Sequence, residues 1–395
     1  MKKISYIWLI ISILLLSACK NDGQALIDLT NTRNLTPISF SETDNVKMQL
    51  AIKQISIPTQ ENAYINSFCE VDGIIYYTVS FFDYLEKIAM EQKDNTLRFE
   101  EKYNTQIRAF NTSSKEDRLI YKYNKDYCVL VTNLVCNGEY LVWEDYAKDS
   151  SWSINKINLG NNKVINTPKV IISQNDYPDT ILGSITLTIT KDYLYWYQCT
   201  PSTDKGKFNT RIDYYDFEND KVSTIMDNLF LISPYERVSI VDNVICAYSK
   251  DIDDIYVIHV YDIKANARHD IIVPTNVVAP ISNGKIIIWS DTFDAKRNMY
   301  VYNLEKDEIN LIQNGDDYSL LSYNILDDKV LVCNSKDADG FSNIYYYDIY
   351  GNTRSNITTN NNENISYGYM FYNYRNSIIL EFNITSNSFE TLYIK

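Results

Sequence analysis

Glycine is scarce, with 11 residues in 395. A chain this poor in the residue that most readily takes positive φ must turn with something else, and asparagine, which tolerates that region better than most, is expected to do the work. Histidine is scarcer still: His259 and His269 are the two in the chain. Neither has a second histidine at ligand spacing, which argues against a zinc site or a two-histidine facial triad. None of the seven cysteines forms a C-x-x-C pair. Cys69, Cys128, Cys136, Cys199, Cys246 and Cys333 lie mostly inside apolar, strand-like runs and read as small buried hydrophobes. Cys128 and Cys136 share one expected strand, where about 3.3 Å per residue puts them beyond bridging distance. Basic residues are outnumbered, 37 Lys and Arg against 51 Asp and Glu, for a formal charge of −14. Phosphate binding needs clustered positive charge, so no nucleic-acid partner is expected.

Long apolar runs are also lacking, apart from one at the start. In MKKISYIWLIISILLLSAC, Lys2 and Lys3 precede an apolar stretch from Ile4 to Leu16, followed by Ser17, Ala18 and Cys19. Charge, apolar length and small residues in that order make residues 1–18 a secretory signal, too short to serve as a permanent span. Leu-Ser-Ala-Cys resembles the lipobox of bacterial lipoproteins. The resemblance implies that Cys19 is acylated and becomes the first residue of a lipid-anchored, extracytoplasmic protein. Several acyl chains, at about 0.8 kcal/mol per buried CH₂, hold far better than a single myristoyl chain. Residues 19–46 are polar and without sustained periodicity, and they read as a flexible tether.

What the remainder has in abundance is tyrosine, 34 residues, a strong strand former. DDKVLVCNSKDADGFSNIYYYDIYGNTRSNIT reads as strand, polar loop, strand, turn, strand. SNGKIIIWSDTFDAKRNMYVYNLEKDEINLIQ and VDNVICAYSKDIDDIYVIHVYDIKANARHDIIV have the same layout, and looser copies lie further upstream. Turn residues before the second strand of each copy, Gly73, Gly138, Asp192, Asn243, Gly284, Asp328 and Asn376, are spaced 41 to 65 residues apart. A further apolar stretch lies between copies, giving four strands per unit, the mark of a β-propeller. The seven markers give an all-β, seven-bladed propeller over residues 47–395, with four-stranded antiparallel blades. The last copy lacks one strand, and the apolar run at residues 48–57 is expected to complete it beside Phe389 to Ile394, removing an open edge. Runs such as IYYYDI, IDYYDF and MYVYNL recur in several units, so their tyrosines read as architecture before ligand site.

SKDADGFSNIYYYDIYGNTRSNIT also resembles the repeat of TolB-type and tricorn-type (WD40-like) propellers, with its DG loop, IY strand, D-x-x-G turn and closing I-T. That family commonly has six blades, so six is the alternative count if the Gly73 unit packs differently. The resemblance implies a scaffold that binds a protein, peptide or envelope component.

Chemistry is hard to find. No G-x-S-x-G elbow is present, and sialidase Asp boxes and quinone-type Trp repeats are not visible. A Ser-His-Asp set gathered from scattered segments is not expected. The connections after the second strands carry carboxylates: Asp145, Asp204, Asp251, Asp253, Asp254, Asp291, Asp294, Asp337 and Asp339. Together they are candidate binding loops on one face, with a negative potential suited to a cationic partner. Grouped oxygens could take Ca²⁺, but DADG is only a fragment of a calcium loop, so no metal or other cofactor is assigned. The stretch from Asp83 to Asn104 is the longest departure from the repeat and lies on the same face. The expectation is a monomeric, non-enzymatic, membrane-anchored scaffold. The alternative is a glycan-binding module or enzyme using an acidic central funnel.

Overall fold

The computed structural model describes residues 25–30, 35, 39, 41–42, 52–55, 63–81, 105–123, 128–147, 151–160, 167–178, 187–201, 208–231, 238–241, 243–250, 255–273, 277–291, 298–313, 319–326, 329–336, 343–358, 365–373, 376–383 and 388–394. Three short strands come first: β1 (Ala25–Asp28), β2 (Ser41–Glu42) and β3 (Ile52–Ile55). Seven antiparallel groups follow. Sheet I holds β4 (Ala63–Val71), β5 (Ile74–Phe81), β6 (Gln106–Asn111) and β7 (Asp117–Lys122). Sheet II holds β8 (Cys128–Cys136), β9 (Tyr140–Ala147), β10 (Trp152–Asn158) and β11 (Lys169–Ser173). Sheet III holds β12 (Thr188–Ile189), β13 (Tyr193–Pro201), β14 (Phe208–Asp216) and β15 (Lys221–Leu231). Sheet IV holds β16 (Ser239–Val241), β17 (Val244–Lys250), β18 (Tyr256–Asp262) and β19 (Ala267–Val273). Sheet V holds β20 (Val278–Ser282), β21 (Ile286–Ser290), β22 (Met299–Asn303) and β23 (Glu308–Gln313). Sheet VI holds β24 (Ser319–Leu326), β25 (Lys329–Lys336), β26 (Ile344–Asp348) and β27 (Thr353–Asn356). Sheet VII holds β28 (Ile365–Asn373), β29 (Asn376–Asn383) and β30 (Ser388–Ile394).

The N-terminal strands complete and extend this set. β3 pairs antiparallel with β30, Ile52 opposite Ile394 and Ile55 opposite Thr391, and supplies the fourth strand of sheet VII. This is the pairing expected of residues 48–57, seen over the described residues 52–55. The expected tether, by contrast, is partly built into the structure. β1 lies parallel on β19 as a fifth strand of sheet IV, and β2 lies parallel on β27 as a fifth strand of sheet VI. Leu29, just past β1, is buried against sheet IV, and its amide donates to the Ile272 carbonyl at 2.8 Å. Burial of one leucine and pairing with an otherwise open edge offset the entropy of ordering these residues.

Sheets II to V are apolar on both sides because they are covered on both sides. In β9, Leu141 and Trp143 pack with Cys69 and Tyr76 of sheet I, while Val142 packs with Leu194 and Trp196 of sheet III. Sheets III and IV share a cluster, as do IV and V, and V and VI. All of β21 is buried, and Tyr345, Tyr346 and Tyr347 of β26 are all at least 95% buried. The largest buried side chains recur in register: Trp143, Trp196 and Trp289 each stand fourth from the start of the second strand, and none is exposed. The inner strands of consecutive sheets lie side by side from β4 to β8 to β12 and from β16 through β20 and β24 to β28, and β28 lies beside β4. Cys69, Cys136, Cys199 and Cys246 are buried free thiols, as their apolar settings imply.

The turn joining third and outer strands explains how so little glycine suffices. It opens on Asn111, Asp216, Asp262, Asn303 or Asp348, whose Oδ1 accepts one or two amides from the next three residues, as from Glu218 and Asn219 onto Asp216 at 2.9 and 3.0 Å. Four residues on, Lys115, Asp220, Asn266, Asp307 and Asn352 all take φ between 48° and 61°. Asx side chains therefore organise the turn and polar residues fill its left-handed corner. Glycine is kept where a side chain would not fit. At Gly284 φ is +86° and an added Cβ would meet Val244 Cγ2 at 3.0 Å.

Two stability outcomes follow. Trp196→Ala leaves a large void between sheets II and III and should cost about 3–5 kcal/mol in urea unfolding; a change under 1 kcal/mol would show that the inter-sheet contact is not a core. Replacing Ile52–Ile55 with Gly-Ser-Gly-Ser should lower the melting temperature and speed amide exchange in β30, and unchanged exchange there would mean that β3 does not close sheet VII.

Candidate functional site

Of the nine candidate carboxylates, Asp145 and Asp291 lie among the described residues. The others, Asp204, Asp251, Asp253, Asp254, Asp294, Asp337 and Asp339, lie outside them, as do Cys19 and the stretch from Asp83 to Asn104. Asp145 is not a loop residue: it stands in β9, because that strand runs on to Ala147 before the hairpin closes. Its carboxylate accepts from the Tyr123 hydroxyl at 2.7 Å and from the Ser153 hydroxyl. Asp291 directly follows β21 and accepts from the Asn298 amide at 3.0 Å, the Asn298 side chain at 2.7 Å and the Tyr300 hydroxyl at 3.3 Å. Both carboxylates thus staple the second strand to its neighbours.

They also occupy one position of the repeat. Counting from the start of the second strand, Asp145, Gln198, Ser249 and Asp291 are all sixth. Each is bonded to, or linked through one side chain with, the residue three before the end of the third strand. Asp145 reaches Asn155 through Ser153, whose hydroxyl accepts from Asn155 Nδ2 at 2.9 Å. Gln198 donates to Asp213, which also accepts from Arg211 Nε at 2.8 Å while Arg211 Nη2 donates to Tyr177 at 2.6 Å. Asp213 is fully buried, and a carboxylate there is tolerable only because Gln198 and Arg211 satisfy it.

In sheet IV the same position yields a hydrogen-bonded chain across three strands. Ser249 Oγ on β17 lies 2.8 Å from His259 Nε2 on β18, and His259 Nδ1 lies 2.7 Å from Asp270 Oδ1 on β19. Arg268 Nη2 lies 3.1 Å from the same Nδ1, so a carboxylate and a guanidinium share that edge of the ring. Burial pushes the Asp270 carboxyl up, but the bonds from His259 and Arg268 outweigh it and hold it down at about 2. The order serine, imidazole, carboxylate is that of hydrolase triads, and the sequence reading did not foresee it. The signal was available: a turn of known type after Asp262 puts His259 opposite Asp270 by counting alone.

A second buried acid lies on the other side of β9. Glu144 is fully buried against sheet III and accepts from Tyr146 Oη at 2.5 Å, Asn133 Nδ2 at 2.7 Å and Thr132 Oγ1 at 3.3 Å. Burial pushes its carboxyl up to about 7, with these three bonds opposing the rise. Among the described residues no group of three or more His, Cys, Asp or Glu is placed to hold a metal ion.

No family model matches the chain, and no curated protein matches it. Solved structures do. The β-propeller domain of the Trilobed protease from Pyrococcus furiosus aligns with 86% of this chain and 95% of its own at 12% identity and a TM-score of 0.59. The acylaminoacyl peptidase of Pyrococcus horikoshii aligns at 12% identity and a TM-score of 0.55 over 81% of this chain and 49% of its own. Prolyl oligopeptidase B of Galerina marginata aligns at 11% and 0.51 over 82% and 47%. The chain thus spans about half the length of these two enzymes. At such identities the likeness shows the fold alone, and that fold is a β-propeller.

Glu144 makes stability depend on pH. Its folded pKa of about 7 exceeds the ordinary 4.5, so between these values the folded state holds more protons than the unfolded one. Its contribution is therefore complete below pH 4.5 and lost as pH rises through 7. The urea midpoint of the wild type should fall across that window relative to Glu144→Gln, and parallel profiles would show that the buried carboxyl does not titrate there.

Proposed function

We propose that the chain is an extracytoplasmic bacterial lipoprotein anchored through acylated Cys19. Its seven sheets are the blades of one closed, TolB-like propeller, which acts as a non-enzymatic scaffold for a protein, peptide or envelope component. Closure is supported by the return of β28 to β4 and by the pairing of β3 with β30.

The observation that carries the scaffold reading is the mounting of β1. Ala25 pairs with His269, near the turn between β18 and β19, and Asp28 with Ile272, so β1 enters sheet IV from the turn side. The six residues from Cys19 to Ala25 reach at most ~20 Å. A lipid on Cys19 then holds the turn face toward the membrane and the connections after the second strands away from it. Those connections carry the remaining acidic candidates, and a rigid ring displays them outward for a partner.

Ser249, His259 and Asp270 favour a second reading, a serine hydrolase. Two features weigh against it. The equivalent positions of sheets II, III and V also carry bonded polar groups, so the position itself calls for hydrogen bonding rather than nucleophilic chemistry. Asp270 is also shared, accepting from Arg268 Nε at 2.9 Å.

Three measurements test these readings. Cys19→Ala should move the protein from the membrane to the soluble fraction, and membrane retention would remove the anchor. Photo-crosslinkers at Asp204 and Asp253 should trap one discrete partner that Glu218 and Lys264 positions do not; equal trapping from both faces would sink the display geometry. A fluorophosphonate probe should leave the wild type unlabelled, and labelling abolished by Ser249→Ala would establish the hydrolase instead.

A further inference from the structure

The seam between sheets II and III contains a cation held by aromatic rings. Lys156 projects from β10, and its Nζ lies 5.1 Å from the ring centre of Tyr140, 4.5 Å from that of Tyr215 and 5.8 Å from that of Phe217. The ammonium donates to the Tyr215 hydroxyl and lies 3.5 Å from an Asp220 oxygen. Tyr140 and Phe217 stack at 4.5 Å, closing the box. Ring faces and one carboxylate replace much of the water that the ammonium gives up.

The next seam repeats the frame without the lysine. Register makes the equivalences explicit: Tyr140 pairs with Asn158 as Tyr193 pairs with Asp216 and Val244 with Asp262. Tyr193 therefore takes the place of Tyr140, Tyr261 that of Tyr215, Ile263 that of Phe217 and Asn266 that of Asp220. The place of Lys156 is taken by Tyr214. Its ring turns edge-on to Tyr193 at 5.4 Å and lies 6.2 Å from Tyr195, so no cation enters from within. A cleft of about 290 Å³ remains, walled by Tyr193, Tyr195, Tyr214 and Ile225 on one side and Tyr261 and Ile263 on the other. Tyr195 is 1% exposed, so it contributes to the wall while its hydroxyl is closed off from solvent beside Thr190. The nearby Thr190 hydroxyl is engaged with the Tyr193 backbone, donating to its carbonyl at 3.1 Å and accepting from its amide at 3.0 Å. Asp192, Asp216 and Glu218 lie close enough to act electrostatically on Tyr193.

We propose that this cleft binds the ammonium end of a lysine side chain from a partner polypeptide. The tyrosine faces would take the ammonium and the methylene chain behind it, as they do in the seam that holds Lys156, and the rim carboxylates would favour its charge. This goes beyond the scaffold reading by naming a second contact, on the turn side of the ring. It commits to lysine because the parallel seam already holds one.

The test uses the full chain and acetyl-Gly-Lys-Gly-amide, with the norleucine peptide as a neutral control of the same shape. In ligand-observed NMR the lysine ε-protons should show the strongest saturation transfer and an upfield ring-current shift, and the norleucine peptide should bind about tenfold more weakly. Tyr214→Lys puts an internal lysine where Lys156 stands in the occupied seam and should abolish peptide binding while retaining the melting temperature. Should that variant fail to fold, Tyr261→Leu serves in its place, with an expected loss of about tenfold. Equal binding of both peptides, full binding by folded Tyr214→Lys, or binding only to phosphatidylethanolamine vesicles would each overturn the proposal. If the lysine peptide fails while crosslinking from the acidic face still traps a partner, this inference falls and the scaffold reading stands.

Discussion

Burial between neighbouring sheets is the interaction on which everything else rests. A four-stranded sheet with Trp143 on one face and Val142 on the other has no side that can meet water, so it is stable only between two others. Each described apolar cluster joins two consecutive sheets, and none is the private core of one. The first and last sheets face the same requirement, and the contact between β28 and β4 meets it for their inner strands. The pairing of β3 with β30 then joins the two ends of the chain by backbone hydrogen bonds as well as by packing. Opening such an arrangement exposes two apolar faces at once, whereas removing a loop exposes none.

The same constraint shapes the polar residues. Some groups carried between sheets are satisfied inside their own sheet, as Asp213 is by Gln198 and Arg211, and others bond across the seam, as Ser67 does to the Leu134 amide. The sixth position of the second strand shows how little chemistry this fixes: aspartate, glutamine, serine and aspartate again, each bonded across the strand. Serine, histidine and aspartate in sheet IV are one solution among several. A catalytic trio is recognised by its reacting groups meeting substrate, and resemblance in order alone does not supply that.

Much of this was legible in the chain. The turn markers Gly73, Gly138, Asn243 and Gly284 all take positive φ, and Tyr345, Tyr346 and Tyr347 are buried as expected from a strand covered on both faces, whereas Tyr214 and Tyr300 are only partly buried. The closing strand was legible because a missing outer strand leaves an edge that some apolar segment must fill. β1 and β2 were not, since two to four residues added parallel to an outer edge carry no alternation to detect. Asp145 was misplaced because the length of a hairpin loop, and not its composition, decides whether a carboxylate lies in strand or loop. The cleft lay beyond sequence reasoning altogether, as it depends on which residue faces it across a seam.

That seam shows how a repeat protein can acquire a site at little cost to its frame. Tyr193, Tyr261 and the turn ending at Asn266 keep the roles that Tyr140, Tyr215 and the turn ending at Asp220 have one sheet earlier. The residue between the walls differs, lysine in one seam and tyrosine in the next, and with it Phe217 gives way to Ile263 and Asp220 to Asn266. Lysine fills its own box, and burial lowers the pKa of its ammonium even with Asp220 opposing, which marks the desolvation that such a group undergoes there. Tyrosine packs against its neighbour instead, so the frame survives and the interior position opens to solvent. Because sheets III and IV are also held by clusters on their other faces, the exchange leaves the neighbouring seams unaffected. The loss of Lys156, its Asp220 partner and the Phe217 ring from one copy to the next therefore replaces an internal ion contact with an open cleft.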